Sequence, residues 1–378
     1  MKNKFKYLSM LFNEKNVLEK DTKIEEIFFF ALKEVFTHHY NNCIVYRKLC
    51  NQENFYPDSL NNPEDISKIP WIMVNVFKKY HLTSVPDDKI VKTFTSSGTT
   101  GEKSHISWDK ESFERQKTMR NKIMENYGLI TSTKVNYLCF TYSPDIAGDR
   151  GAPYAHTMYT NFAPANRKFF AIHSDWEGKE FFDPAECTEI LKEFSKTNLP
   201  LRIIGFPAFA WKTLQYLAQK NIKFNFSNKD SLIIFAGGWK AMADEEIPKS
   251  KFYNYVEKYL GISRTQIRDV YGFVEHGVPY ITCEFGNFHV PIYSKVFVRK
   301  PGSLKLLTYG EKGMLHMISP YNIAQPNISV LSTDYGIIEK NCKCGRNSDY
   351  IILVGRAGIK KHQGCAITAA ELLKVKKI

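Results

Sequence analysis

The sequence predicts an α/β fold built on a parallel sheet with helices on both faces, and three observations carry that prediction. Short apolar runs at 135–140, 201–205, 231–238 and 266–272 read as strands, and stretches of helical periodicity separate them. Two of these runs end in glycine turns, Ala236-Gly237-Gly238 and Tyr271-Gly272, as a strand does when it hands over to a crossover. From about residue 290 to 353 helical patterns vanish and short strands with Gly/Pro turns take over, which predicts a small appended β subdomain.

The elements follow in order. Residues 1–60 look helical, with the clearest periodicity at 25–40 and a second helix around 46–50. Pro57, Pro63, Pro70 and Pro86 then punctuate an irregular approach to a strand at 90–94. A helix over 110–128 is rich in good helix formers and ends at glycine. Helices at 184–197, 208–220 and 247–260 alternate with the strands already named. The expected organisation is a helical N-terminal part at 1–90, an α/β core at 91–289, a small β subdomain at 290–355 and a tail at 356–378.

Bulk properties narrow the function classes. The 378 residues are 43% hydrophobic and 24% charged, an ordinary soluble balance and enough chain for a large core. The most apolar segment, 24–36, is broken by Glu25, Glu26, Lys33 and Glu34, so it reads as an amphipathic helix and not as a membrane span. The start Met1-Lys2-Asn3-Lys4 leads into mixed polar sequence without a signal-peptide core, which predicts cytoplasmic residence. A net charge of +13 raises nucleic-acid binding, but the lysines are scattered and no reading motif accompanies them. Eight cysteines without an export signal argue against a disulfide framework. Cys43, Cys50, Cys139 and Cys187 sit in apolar or helical surroundings and read as buried bystanders.

The chemistry concentrates in a few places. Thr95-Ser96-Ser97-Gly98-Thr99-Thr100-Gly101-Glu102-Lys103-Ser104 follows the strand at 90–94. Glycines let backbone amides approach an anion, hydroxyls donate hydrogen bonds and Lys103 supplies charge, so the segment reads as a nucleotide-phosphate loop. Only two residues separate Gly98 from Gly101, which rules out the P-loop spacing; the bland alternative is a Ser/Thr/Gly linker. Gly237 and Gly238, followed by Trp239 and Lys240, can let a flat ligand lie against a strand end, although a strand-to-helix turn needs glycine anyway. Tyr271 and Gly272 can pack on a purine, and Glu275 four residues after Tyr271 can hold the Mg²⁺ that bridges ATP phosphates. Asp334 in Thr333-Asp334 can accept ribose hydroxyls, and Arg356 in Gly355-Arg356 can contact ribose or phosphate. Cys283 and His289 (C-x5-H), with Cys342 and Cys344 (C-x-C), offer four soft ligands for a structural Zn²⁺ if the two pairs meet.

The order of these motifs resembles that of the adenylate-forming superfamily, which activates carboxylic acids as acyl-AMP. Within it the chain is similar, from about residue 30 onward, to the acyl-protein synthetase family of bacterial fatty-acid reductase. The shared landmarks are Phe94 to Ser104, Ile204-Gly205-x-Pro207, Gly237-Gly238-Trp239-Lys240, Ile267-Arg268-Asp269, His289-Val290-Pro291, Thr333-Asp334-x-Gly336-Ile337-Ile338 and Lys361-x-x-Gly364-Cys365-Ala366. Cys342-Lys343-Cys344-Gly345-Arg346 departs from it and resembles phenylacetate–CoA-ligase-like relatives. The resemblance implies ATP and Mg²⁺ as cofactors, a fatty or other carboxylic acid as substrate, and an acyl-accepting reductase as partner. It also implies a chain without the superfamily's mobile C-terminal domain, and it leaves room for an oligomer. In that family the tail cysteine matched by Cys365 carries the acyl group as a thioester, which makes 356–378 the acyl-accepting tail. Lys360, Lys361 and His362 would favour its thiolate. Two alternatives stay open: an acid–CoA ligase with CoA as acceptor, and a non-catalytic nucleotide-sensing scaffold.

Overall fold

The structure, a computed structural model, describes residues 4–95, 104–147, 151–175, 177–239 and 245–356. Three helices lead the chain: α1 (Lys6–Asn13), α2 (Thr22–Asn42) and α3 (Ile44–Gln52). Helix α2 starts where Asp21 Oδ1 accepts the Ile24 N–H at 2.8 Å, satisfying a first-turn donor that has no partner within the helix. Ile24, Ile27, Phe28, Ala31, Leu32, Val35 and Phe36 then recur at helical spacing and are buried. Beyond β1 (Ile72–Met73) and the single turn α4 (Val76–Lys79), strands β2 (Ile90–Thr95) and β3 (His105–Asp109) form an antiparallel pair of their own. Asp109 closes β3 and caps α5 (Lys110–Asn126), its Oδ1 accepting the Ser112 N–H at 3.1 Å.

The main sheet takes up the middle of the chain. It contains β4 (Val135–Tyr142), β5 (Ala165–Ser174), β6 (Glu180–Phe181), β7 (Leu201–Gly205), β8 (Leu232–Ala236), β9 (Ile267–Tyr271) and β10 (Tyr280–Ile281). Their spatial order is β10-β9-β8-β7-β4-β5-β6, parallel throughout except at the two short edge strands. Helices α6 (Pro144–Ala147), α7 (Gly151–Tyr159), α8 (Pro184–Ser195), α9 (Pro207–Gln219) and α10 (Lys249–Leu260) lie between the strands in sequence. Pro184 and Pro207 open α8 and α9, where proline's missing N–H costs nothing, and Gly261 ends α10 at φ 69°. The apolar runs at 135–140, 201–205, 231–238 and 266–272 are all strands of this sheet. A strand that the pattern does not announce is β5, because its first four residues are exposed and three of them, Asn166-Arg167-Lys168, are polar.

Every residue of β4 and β7 is buried, as parallel strands covered on both faces must be. Alternate side chains enter two cores. Leu138, Phe140 and Ile203 face Phe209, Leu214, Phe252 and Val256 of α9 and α10. Tyr137, Cys139 and Ile204 face the other way, into a core shared with the N-terminal helices and a second sheet. That sheet holds β11 (Phe288–His289), β12 (Lys295–Arg299), β13 (Gly313–Ile318), β14 (Ser329–Glu339) and β15 (Tyr350–Arg356), ordered β11-β15-β14-β13-β12. All its neighbours are antiparallel except β1, which joins β14 in parallel with Ile72 opposite Val330.

Candidate functional site

The two sheets meet at the carboxyl ends of β8 and β9, where open α/β sheets bind ligands. These strands are parallel neighbours, with Ala236 opposite Val270, so the turns that leave them lie side by side. Gly237 and Gly238 adopt φ of 90° and 63°, and a Cβ on Gly237 would stand 3.0 Å from the Phe206 ring. Only glycine takes that backbone without strain. Trp239 is half-buried with its ring edge-on to Phe252; Lys240 lies outside the described residues. One strand over, Tyr271 Oη donates to Asp334 Oδ2 at 2.8 Å and so ties β9 to β14 of the second sheet. Asp334 is buried, and in the β14–β15 register it stands opposite Arg356. Two residues singled out separately, an aromatic and a carboxylate 63 positions apart, are therefore one hydrogen-bonded unit.

Glu275 is also buried, and its backbone is tethered: Asn327 Nδ2 donates to the Glu275 carbonyl at 2.9 Å. At Gly277, φ is 77° and a Cβ would stand 2.1 Å from Tyr321 Oη, so the turn after Glu275 is closed tightly against that phenol. The same phenol accepts the Trp108 indole N–H at 3.1 Å. Gln325 Oε1 accepts the Ser107 N–H at 2.6 Å, and its Nε2 donates to the His105 carbonyl at 3.1 Å. Tyr321, Gln325 and Asn327 thus fasten both the Glu275 turn and strand β3 to one buried segment. Sequence reasoning missed all three; the available signal was an uncommonly polar run, Ser319-Pro320-Tyr321-Asn322-Ile323-Ala324-Gln325-Pro326-Asn327, inside a β-rich region.

Thr95 and His105 face each other at the end of the β2–β3 pair, which is where the proposed phosphate segment departs and returns. Ser96, Ser97, Gly98, Thr99, Thr100, Gly101 and Lys103 lie outside the described residues, as do His362 and Cys365.

His156 is a further side chain at this end of the sheet that spacing does not reveal. Its Nδ1 shares a hydrogen bond with Thr141 Oγ1 at 2.9 Å, and its ring stands edge-on to Phe206 at 4.8 Å. Burial lowers its pKa to about 4, so it is neutral at pH 7. His276, next to Glu275, is likewise held neutral by burial, at about 3, and shares a 2.7 Å hydrogen bond with Tyr280 Oη.

A second constellation lies elsewhere. Cys283 is in the turn between β10 and β11, His289 is on β11, and Cys342 and Cys344 are in the turn between β14 and β15. Because β11 pairs with β15, with His289 opposite Tyr350, the two turns are brought together. The four ligand atoms all lie within 4.8 Å of one another. Burial pushes the Cys283 thiol up to about 12. Burial would also raise Cys342, but hydrogen bonds from Asn287 Nδ2 and the Cys344 backbone outweigh it and leave that thiol below its ordinary value. Burial and the nearby Arg346 charge lower His289 to about 4, so its ring is neutral.

Comparison with known families now decides the class. The family model described as acyl-protein synthetase, LuxE, matches residues 10–374. The chain belongs to this family. Among its relatives is the long-chain-fatty-acid–luciferin-component ligase of Aliivibrio fischeri, 26% identical over 352 residues, covering 91% of this chain and 88% of the relative. The ligase of the same name from Vibrio harveyi is 24% identical and covers 91% and 88%. In fold, this acyl-protein synthetase is similar to 2-hydroxyisobutyryl-CoA ligase solved with 2-HIB-AMP and CoA, at a TM-score of 0.66 and 15% identity, over 90% of this chain and 70% of that one. An open conformation of that ligase gives a TM-score of 0.65 at 14% identity, over 88% and 69%. The acyl-protein synthetase is therefore an acid ligase, and its α/β fold is shared with that CoA ligase. Among its described residues no helix is long and apolar enough to cross a membrane.

Proposed function

We propose that this synthetase activates a fatty acid with ATP at the junction of its two sheets and transfers the acyl group to its own Cys365, for delivery to a partner acyl reductase in the cytoplasm. The observation that carries the reading is the Tyr271–Asp334 unit beside the Gly237-Gly238 turn, which places a ring, a glycine-flattened surface and a buried carboxylate at one sheet junction. An adenosine needs that set: a flat surface for the base and an acceptor for the ribose hydroxyls. Family membership and the long-chain-fatty-acid ligases among the relatives support the acid, the ligase chemistry and the fatty character of the substrate.

The substrate carboxylate attacks the α-phosphorus of ATP, the bond to the β-phosphate breaks, and pyrophosphate leaves. Thr95, Ser96, Ser97, Gly98, Thr99, Thr100, Gly101 and Lys103 would hold the phosphates through backbone N–H groups, hydroxyls and one ammonium. Glu275 offers a hard oxygen donor on a backbone anchored by Asn327, which suits the Mg²⁺ that neutralises phosphate charge when bound with ATP. Arg356, opposite Asp334 in register, would serve ribose or phosphate. The acyl-AMP is a mixed anhydride. The Cys365 thiolate, favoured by Lys360, Lys361 and His362, attacks its carbonyl carbon, AMP departs with the bonding pair, and a thioester remains.

Cys365→Ser tests the reading. Acid-dependent pyrophosphate release should survive in the variant, while acylation of the protein that hydroxylamine releases should disappear, because a serine hydroxyl stays protonated near neutral pH. Persistence of hydroxylamine-labile label on another cysteine would reject Cys365. If wild-type protein given labelled acid and ATP without CoA took up no label, and thioester formed only on CoA, the acceptor would be CoA.

A further inference from the structure

We infer that Cys283, His289, Cys342 and Cys344 form a structural zinc centre that locks the β10–β11 turn to the β14–β15 turn. Two sulfurs bound to one tetrahedral Zn²⁺ at ~2.3 Å each stand about 3.8 Å apart. Cys283 Sγ and Cys342 Sγ are 3.7 Å apart, the separation of two ligands on one ion and far beyond a disulfide bond. His289 Nε2 is 3.1 Å from Cys344 Sγ, which brings the remaining pair to the same point. All seven described cysteines are free thiols.

The two turns share a single design. In Cys283-Glu284-Phe285-Gly286 the Gly286 N–H donates to the Cys283 carbonyl at 2.9 Å, and the Phe285 N–H donates to Cys283 Sγ at 3.4 Å. In Cys342-Lys343-Cys344-Gly345 the Gly345 N–H donates to the Cys342 carbonyl at 3.0 Å, and the Cys344 backbone N–H bonds to Cys342 Sγ. Gly286 and Gly345 have φ of 80° and 81°. Two tight turns that each aim a backbone amide at a cysteine sulfur, facing each other, have a purpose if those sulfurs are thiolates. The surroundings complete the shell. Asn287 Nδ2 donates to Cys342 Sγ at 3.2 Å, and His289 Nδ1 meets Ser348 Oγ at 2.8 Å, which orients the ring with Nε2 toward the sulfurs.

Binding is balanced as follows: three thiols each give up a proton, the neutral imidazole gives a lone pair, and Zn²⁺ with three thiolates carries a net charge of −1. The Arg346 guanidinium, held by Glu284 at 3.0 Å and bonded to Cys344, lies beside that charge. Four protein ligands leave no open position, so the ion is structural and not catalytic. Along β14 the cluster lies eight residues from Asp334, roughly 25 Å, so the centre fixes the closed end of the hairpin that carries the ribose carboxylate.

The test uses the full chain purified from zinc-containing medium without added chelator. Metal analysis should find about one zinc per chain, and Cys283→Ser and Cys344→Ser should each lose it while Cys50→Ala retains it. Prolonged exposure to a strong chelator should lower the Tm by more than ~5 °C, and added Zn²⁺ should restore it. Should the serine variants fold poorly, cobalt exchanged into the wild-type protein gives an independent reading: intense visible bands of a tetrahedral ion and a thiolate-to-cobalt charge-transfer band. A metal-free preparation of full stability, zinc retained by both serine variants, or a Cys283–Cys342 disulfide in the protein as purified would each overturn the proposal.

Discussion

The carboxyl end of the main sheet, proposed to hold the nucleotide, and the cysteine–histidine cluster present polar groups by opposite means. At the carboxyl ends of β8 and β9 the backbone does most of the positioning: parallel pairing sets two turns side by side, and Gly237, Gly238 and Gly272 open them without side chains. The cluster is positioned by side chains carried on two turns that are far apart in sequence, and only the β11–β15 pairing brings them together. The first arrangement can be emptied of chemistry without losing its shape. The second holds little shape of its own once its ligands are changed. Substitutions at the first should therefore strike rate, and substitutions at the second should strike stability.

The largest effect is expected from Glu275→Gln and Lys103→Ala. Removing a charge that serves the transferring phosphate costs on the order of 10²–10³-fold in rate, so acid-dependent pyrophosphate release should collapse while the Tm barely moves. Cys344→Ser should do the reverse, with a lower Tm and near-normal pyrophosphate release measured well below it. If both kinds of variant lost rate and stability together, the division between the two regions would not stand.

Next comes Gly277→Ala. Its Cβ would meet Tyr321 Oη at 2.1 Å on a backbone with φ of 77°, so a loss of about 2–4 kcal/mol is expected by denaturant titration. Adding Tyr321→Phe should recover part of it by clearing the oxygen, and no recovery would mean that backbone strain alone sets the cost. Tyr271→Phe should be milder. Loss of a hydrogen bond to a carboxylate predicts about a tenfold rise in the KM for ATP, with kcat less affected; an unchanged KM would remove Tyr271 from the nucleotide site.

Within the first pH unit below neutrality the smallest effect per group is a pH dependence. Burial lowers His39 and His276 to about 3 and His156 to about 4, against about 6.5 in the unfolded chain. Between those values the unfolded chain binds protons that the native state refuses, so their contribution is fully present above roughly pH 6.5 and is lost as pH falls. Each histidine contributes a slope of up to about 1.4 kcal/mol per pH unit in that window. His39→Gln should flatten the fall in Tm between neutral and mildly acidic buffer, and a Tm independent of pH would refute the assignment.

What could be read from the sequence follows the same division. Strands β4, β7 and β8 are legible because burial on both faces demands nearly continuous apolar runs, and the glycine turns beyond β8 and β9 are local signals. Strand β5 is hidden because its exposed beginning carries the polar residues of a loop. Tyr321, Gln325 and Asn327 are hidden for another reason: each acts through a partner about 50 to 220 residues away, and no local pattern encodes such a distance. The four proposed metal ligands lie between these cases. Their types and spacings were visible, but their meeting depends on a strand pairing that spacing does not contain.

The two cores also imply an order of folding as the chain is made. The core against α9 and α10 draws its buried residues from Leu138 to Ile267, so it can close once that stretch has emerged. The other core joins Leu8, Phe28, Leu32 and Phe36 to partners as late as Ile338 and Ile351. The apolar stripe of α2 can pack early on its local neighbours, with Phe36 against Tyr46 and Phe55, but the rest of its core is missing until almost the whole chain is synthesised. During that wait the N-terminal helices are the segment most open to aggregation or chaperone capture, and their docking is the slow, long-range step that completes the molecule.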